Sequence, residues 1–239
     1  MRTACAIALP GWVLALATWA PAAILLDFER ASVGALSDGQ AISDQFLKSH
    51  GMSFALEDGS WPLIALAGGQ RTAFNGYRGR NDRPAPGSNV GSVFLTDDGI
   101  VGHPPLPMIV TYDRPVGAAG GVIVDIDVGE AWRVTALDSA GLELGVVHLG
   151  EVTNATASAW SFSFTDNLIG QVRLDYVGAK NRKVGVAFDN FWHNSAAAVP
   201  EPATVTLVLG AIGLAVLRRR GHNVARASRP CRTTWRHHP

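Results

Sequence analysis

Asp27 and Glu29 stand two residues apart near the start of the chain. Asp189 interrupts an apolar run, residues 184–192, far downstream. Read as a strand, residues 25–29 send Asp27 and Glu29 to one face and Leu26 and Phe28 to the other. If the first and last strands of the domain lie side by side, Asp189 joins the pair. Three carboxylates at close range repel one another unless a hard cation bridges them, and Ca2+ takes such oxygen ligands. Asp27, Glu29 and Asp189 are therefore the expected site of a structural Ca2+. The plainer alternative is three solvated positions on half-exposed strands.

Paired acids also suggest glycoside hydrolysis. Here no second acid stands in a cleft-forming loop. Ser, His and Asp occur without a G-x-S-x-G elbow, and His50, His103, His148 and His193 are scattered. His148 continues the apolar phase of Leu142, Leu144 and Val146, which suits a core-edge histidine. The chain reads as a non-enzyme, with a secreted hydrolase as the third reading.

Residues 68–89 offer a different chemistry. Arg71, Arg78, Arg80 and Arg83 are interleaved with Phe74, Asn75, Tyr77 and Asn81. Planar guanidinium groups suit carboxylated or sulfated polysaccharide, and Tyr77 could stack on a sugar ring. Arg71, Tyr77, Arg78 and Arg80 are the candidate glycan contacts, against the alternative of a solvated Gly/Pro-rich loop. Trp61 and Trp132 are further candidate platforms, although tryptophans in strands are more often buried.

The elements that must hold these residues are strands. Val122, Val124, Ile126 and Val128 alternate with Asp125 and Asp127, which describes a half-buried strand. Trp160, Phe162 and Phe164 alternate with Ser161, Ser163 and Thr165. Val172, Leu174 and Tyr176 alternate with Arg173 and Asp175. Val184, Val186, Phe188, Asn190 and Trp192 alternate with Gly185, Ala187, Asp189 and Phe191. Turn signals fall at residues 114–117, 138–141 and 178–181. Earlier strands are expected at 25–29, 52–56, 61–67 and 93–96, with one helical turn within 43–49. Many short strands and regular turns imply an all-β antiparallel β-sandwich or barrel.

Both ends read as addresses. Residues 1–23 have Arg2, an apolar stretch and Ala20-Pro21-Ala22, the layout of a signal peptide. Near the other end, Val199-Pro200-Glu201-Pro202 precedes an uncharged apolar segment, 203–217, and then Arg218-Arg219-Arg220. Fifteen residues make roughly 22 Å of helix, against a hydrocarbon core of about 30 Å. The arginines favour the cytoplasmic side, so the segment should enter a membrane with its N-terminal side out. Residues 221–239 lack any period and read as a disordered basic tail.

Trimming both ends changes the charge. The whole chain is formally neutral. Residues 23–199 hold 12 Lys and Arg against 19 Asp and Glu, a net −7. This disfavours nucleic acid as a partner and favours cations. Both cysteines, Cys5 and Cys231, fall outside this part, so no disulfide holds it.

The order Val199-Pro200-Glu201-Pro202, apolar segment, Arg218-Arg219-Arg220 resembles the PEP-CTERM sorting signal of Gram-negative bacteria. Residues 197–220 would form that signal, with 203–217 as its transmembrane segment. The resemblance implies export, transient anchoring in the inner membrane and processing by an exosortase-type membrane protease. It places the product in the cell envelope, on the outer surface or outside the cell, in association with exopolysaccharide and biofilm. The tail after Arg220 is longer than that pattern usually has.

Residues 24–196 would be the exported domain. Its stretch 108–192 is also similar to the jelly-roll domains of exported PEP-CTERM proteins and of carbohydrate-binding modules. The resemblance rests on Ile24-Leu25-Leu26-Asp27-Phe28-Glu29, Ala136-Leu137-Asp138-Ser139-Ala140-Gly141 and Val186-Ala187-Phe188-Asp189-Asn190-Phe191. It implies a jelly roll, and a structural calcium on Glu29 and Asp189 first and Asp27 second. The function expected is that of a non-enzymatic envelope or matrix protein. The runner-up is a module that recognises a specific glycan.

Overall fold

The computed structural model describes residues 23–30, 34–69, 84–97 and 103–194. All belong to the first of two units, Met1–Ala197. The expected signal peptide, the sorting signal with its segment 203–217, the basic tail, and Arg71, Tyr77, Arg78 and Arg80 lie outside the described residues. Among the described residues no helix is long and apolar enough to cross a membrane.

Eleven strands form the described part: β1 (Ala23–Leu26), β2 (Met52–Leu56), β3 (Leu63–Leu66), β4 (Val93–Thr96), β5 (Met108–Val116), β6 (Ala118–Val124), β7 (Trp132–Leu137), β8 (Glu143–Leu149), β9 (Ala157–Ser163), β10 (Ile169–Tyr176) and β11 (Ala187–Asn194). One helical turn, α1 (Leu47–His50), lies at the edge of the segment expected to be helical, and ends at Gly51 in the left-handed conformation (φ 66°).

The strands make two antiparallel sheets, ordered β3-β4-β11-β6-β9 and β2-β5-β10-β7-β8, with β1 added beside β11. From β4 onward the chain alternates between sheets, except for the β7–β8 hairpin. The inner orders β4-β11-β6-β9 and β5-β10-β7-β8 are those of a jelly roll, which leaves few unprotected edges. The expected β-sandwich is therefore the observed fold.

One cluster between the sheets forms the core. It gathers Phe28, Phe54, Phe191 and Trp160 at one end and Trp132 and Phe188 further along. Phe54 meets Phe191 edge-on at 5.2 Å, and Trp132 meets Phe188 at 5.3 Å. Burying each such ring contributes about 1.5–3 kcal/mol. With no cysteine in the domain, this packing carries the fold.

Strict alternation fails at four places. β1 stops at Leu26, and Phe28–Arg30 form a 3-10 turn. The Asp27 carboxylate accepts the Arg30 N–H at 2.9 Å, a local bond that competes with strand pairing. Asp27 and Glu29 thus do not share a strand face.

In β11 three residues, Asp189 to Phe191, are opposed by two on β6, a bulge with Asn190 at φ 52°. Phe188 and Phe191 both enter the core as a result. In β8 a register shift beside Ala136/Leu137 lets Leu144, Val147 and Leu149 pack inward. Leu142 is left 67% exposed, and His148 is exposed on the outer face rather than at the core edge.

Finally, Ala119, Ile123 and Ile126 are the core residues on and just after β6. Val124 instead joins Phe94, Ala65 and Ala187 in a second cluster, with Val122 packed against it. Asp125, at φ 67°, breaks the strand between them. The turn expected at 114–117 is absorbed into β5 up to Val116, and the chain changes sheet at Gly117.

Candidate functional site

β1 runs antiparallel to the second half of β11, pairing Leu26 with Phe191. The first and last strands are thus neighbours, and Asp27, Glu29 and Asp189 gather around the point where β1 ends and the bulge begins. Ala187, Asp189 and Val122 lie on the opposite side of the sheet from Phe188. Residues 89–92 cross over them.

Asp189 is fully buried. Its Oδ1 accepts the Asn190 N–H at 2.7 Å and its Oδ2 accepts the Gly91 N–H at 3.3 Å. The Asn190 side chain donates to the Asn89 carbonyl at 2.9 Å and fastens the crossing segment. Glu29 Oε1 accepts the N–H groups of Ser92 and, at 2.7 Å, Val93. The Glu29 carboxylate occupies the space where a Cβ on residue 91 would sit, so a side chain there would displace Glu29 from its backbone contacts.

Burial pushes the Asp189 carboxyl up to about 7. The negative charges of Glu29 and Asp27 push the same way, while the N–H groups of Asn190 and Gly91 oppose them. Among the described residues no ion pair joins Asp27, Glu29 or Asp189 to Lys or Arg. Nor do any three acidic, His or Cys side chains there form a group that could hold a metal by themselves. Asp27 spends its Oδ1 on its own turn. The geometry is a backbone-lined cradle with one buried and one partly exposed carboxylate, and an uncompensated negative charge.

A second acidic group was not singled out in the sequence as a site. Asp125 and Glu130 are 3% and 4% exposed. Burial pushes Asp125 up to about 6, against the Ala155 N–H that its Oδ1 accepts at 2.5 Å. Burial also raises Glu130, opposed by Lys180, whose Nζ lies 2.6 Å from Glu130 and 3.6 Å from Asp127. This group carries its own counterion. The spacing Asp125-x-Asp127-x-x-Glu130 was visible, but the lysine is fifty residues downstream of Glu130. Of the candidate sugar platforms, Trp132 is buried in the core, which removes it, and Trp61 is 55% exposed.

Fold and site together define a jelly-roll β-sandwich held by an aromatic core, with a buried acidic cradle where its ends meet. Residues 198–220 match the PEP-CTERM protein-sorting motif. That motif marks an exported protein sorted to the envelope, and it implies exosortase as the processing enzyme. No curated protein matches the chain.

Among solved structures, the chain is similar to the K2 cleaved adhesin domain of Lys-gingipain (10% identity, 73% of this chain, 99% of that one, TM-score 0.43). It is similar to TmCBM61 in complex with beta-1,4-galactotriose (11% identity, 63% and 94%, TM-score 0.35). It is also similar to a DUF4465 family protein from Bacteroides caccae (13% identity, 66% and 99%, TM-score 0.30).

Proposed function

We propose that this is a non-enzymatic component of the cell envelope or extracellular matrix, anchored briefly in the inner membrane and released among exopolysaccharide. The observation that carries the reading is the sorting motif at 198–220. The state of four acids, three of them buried, supports it. Asp189 and Glu29 are engaged by backbone N–H groups of one crossing segment, and Asp125 and Glu130 by a loop and a lysine. These bonds tie loops to the sheets.

The test is fractionation of cells, with the mass of the recovered protein. Recovery in the envelope or matrix, shortened at the C-terminal side, supports the reading. A full-length cytoplasmic chain refutes it. Hydrolysis of a polysaccharide panel, abolished in Asp189→Asn with the fold intact, would refute the non-enzymatic part.

The cradle fits a structural Ca2+ on electrostatic grounds. A fully buried carboxylate, with two acidic neighbours and no cationic side chain paired to it, is stabilised by a bound cation. Glu29 and Asp189 would hold it, with Asp27 nearby and carbonyl or water oxygens completing the shell. The cation would supply charge compensation and tie β1 to β11 and to the crossing segment. Thermal melting with calcium and with a chelator tests this; identical melting temperatures refute it.

A further inference from the structure

β9 (Ala157–Ser163) is the outermost strand of its sheet and pairs only with β6. Just beyond its two ends, Phe164 donates its N–H to the Gly117 carbonyl at 2.8 Å, and the Thr156 carbonyl accepts the Asp125 N–H at 2.9 Å. Antiparallel pairing turns the N–H and C=O of every second residue toward the same neighbour. The register runs unbroken from Ala118↔Ser163 to Val124↔Ala157, so the even-numbered residues of β9 are the ones bonded to β6. The N–H and C=O groups of Ala157, Ala159, Ser161 and Ser163 therefore point away from the sheet. Among the described residues, none outside the sheet bonds to them.

A bare edge is a template for another strand, and proteins blunt it with short strands, bulges, charges, proline or a covering loop. The other edges here show those devices. β1 has only four residues. Residues 39–43 line β2 and β3: Phe54 donates to the Ser43 carbonyl, and Ile64 exchanges bonds with Gly39 and Gln40. β8 carries a register shift, Glu143 and His148. β9 has seven residues, without charge, proline or register shift. The sequence is uncharged all the way from Val152 to Thr165.

We propose that β9 pairs with β9 of a second copy of this chain, antiparallel about a two-fold axis at Trp160. Bare residues then meet bare residues, Ala157 opposite Ser163 and Ala159 opposite Ser161. Each such pair exchanges both its bonds, which gives about eight hydrogen bonds across the axis. The contact is isologous: one edge complements itself, and every copy supplies it. All four facing positions are Ala or Ser, so neither bulk nor charge meets there, while Trp160 and Phe162 stay in the core. The net −7 over residues 23–199 opposes association in general, and β9 is where that opposition is least. Charge also selects the direction. Antiparallel pairing sends the two Asp166 carboxylates to opposite ends of a strand roughly 23 Å long, beyond the screening length of about 8 Å. Parallel pairing would set them side by side.

Sedimentation velocity over a concentration series, on protein recovered from cells, tests this. A dimer should form. Hydrogen exchange at the N–H groups of Ala157, Ala159, Ser161 and Ser163 should slow as it does. Ser161→Pro removes one bare donor from each copy, at a place where an edge strand tolerates proline, and should weaken the dimer about tenfold. Because proline also restrains β9 itself, Ser161→Lys serves as the second variant. It keeps the N–H, alters an exposed side chain and sets two cations near the axis. It should weaken the dimer more at low salt than at high salt, with the melting temperature of the monomer unchanged.

A monomer at every concentration overturns the proposal. If the four N–H groups of that monomer still exchange slowly, another segment of the chain covers the edge instead. A dimer that survives Ser161→Lys at low salt also overturns it, because the contact then lies elsewhere. Where the protein is sorted bears on none of these results.

Discussion

At the scale of single residues, Asp189 makes the most demanding claim. Its carboxyl is raised from 3.8 to about 7 by burial. Between those values the folded state holds a proton that the unfolded state has released. Stability therefore falls as pH rises from about 4 to about 7, by on the order of 4 kcal/mol for three pH units. Asp125 and Glu130 are shifted in the same direction and add to the slope. Asp189→Asn keeps the shape and removes the charge, so the metal-free variant should lose less stability over this range than the parent. Denaturant melts at pH 4.5 and 7.5 measure it, and equal slopes in parent and variant would refute the shift. Calcium should flatten the parent's slope and leave the variant's nearly unchanged. Tyr112 makes the opposite case. Its hydroxyl is buried without a partner; the residue as a whole is 6% exposed, and its ring centroid lies 5.2 Å from that of His193. Tyr112→Phe should be neutral or stabilising by up to about 1 kcal/mol, since a buried unsatisfied group costs about that much. A loss above 1 kcal/mol in urea melts would reveal a bound water that the hydroxyl serves.

At the scale of elements, the acidic group at the end of β6 is a lock between two loops. Lys180, from the loop after β10, holds Glu130 and Asp127 from the loop before β7, while Tyr176 donates its hydroxyl to the Lys180 carbonyl at 2.8 Å. Lys180→Met keeps most of the packing but leaves Glu130 buried without its cation. It should cost about 2–3 kcal/mol at pH 7. The cost should shrink as pH falls and Glu130 takes up a proton; a pH-independent cost would show that packing, not charge, is lost. The same elements show what was legible beforehand. The two-residue period gave β9 and the 172–176 stretch of β10 with their inward residues, because nothing interrupts the alternation there; it gave no strand at β7, which the structure adds. It misassigned Val124, Asp125, Leu142 and His148, because bulges and a left-handed Asp reset the phase and no local residue announces them. The grouping of Asp27, Glu29 and Asp189 rests on the expectation that first and last strands meet. That they lie near one another follows from the β1–β11 pairing. The crossing segment that covers Asp189 was not foreseeable, since its contacts span about a hundred residues.

At the scale of the whole molecule, charge and sorting are one problem. The neutral total hides an acidic domain, −7 over residues 23–199, and seven arginines from Arg218 onward. Cleavage near the PEP-CTERM motif would separate the two halves of that balance. The protein would then leave the membrane as a polyanion, which resists self-association and gives its buried carboxylates reason to recruit cations. The prediction concerns the isoelectric point. Protein recovered from the envelope or medium should focus well below the pI of about 7.1 of the intact chain. A variant with Pro200-Glu201-Pro202 replaced by alanines should remain membrane-bound and focus near neutrality. If both species focus alike, the basic end is retained, and the envelope form carries its cationic tail into the matrix.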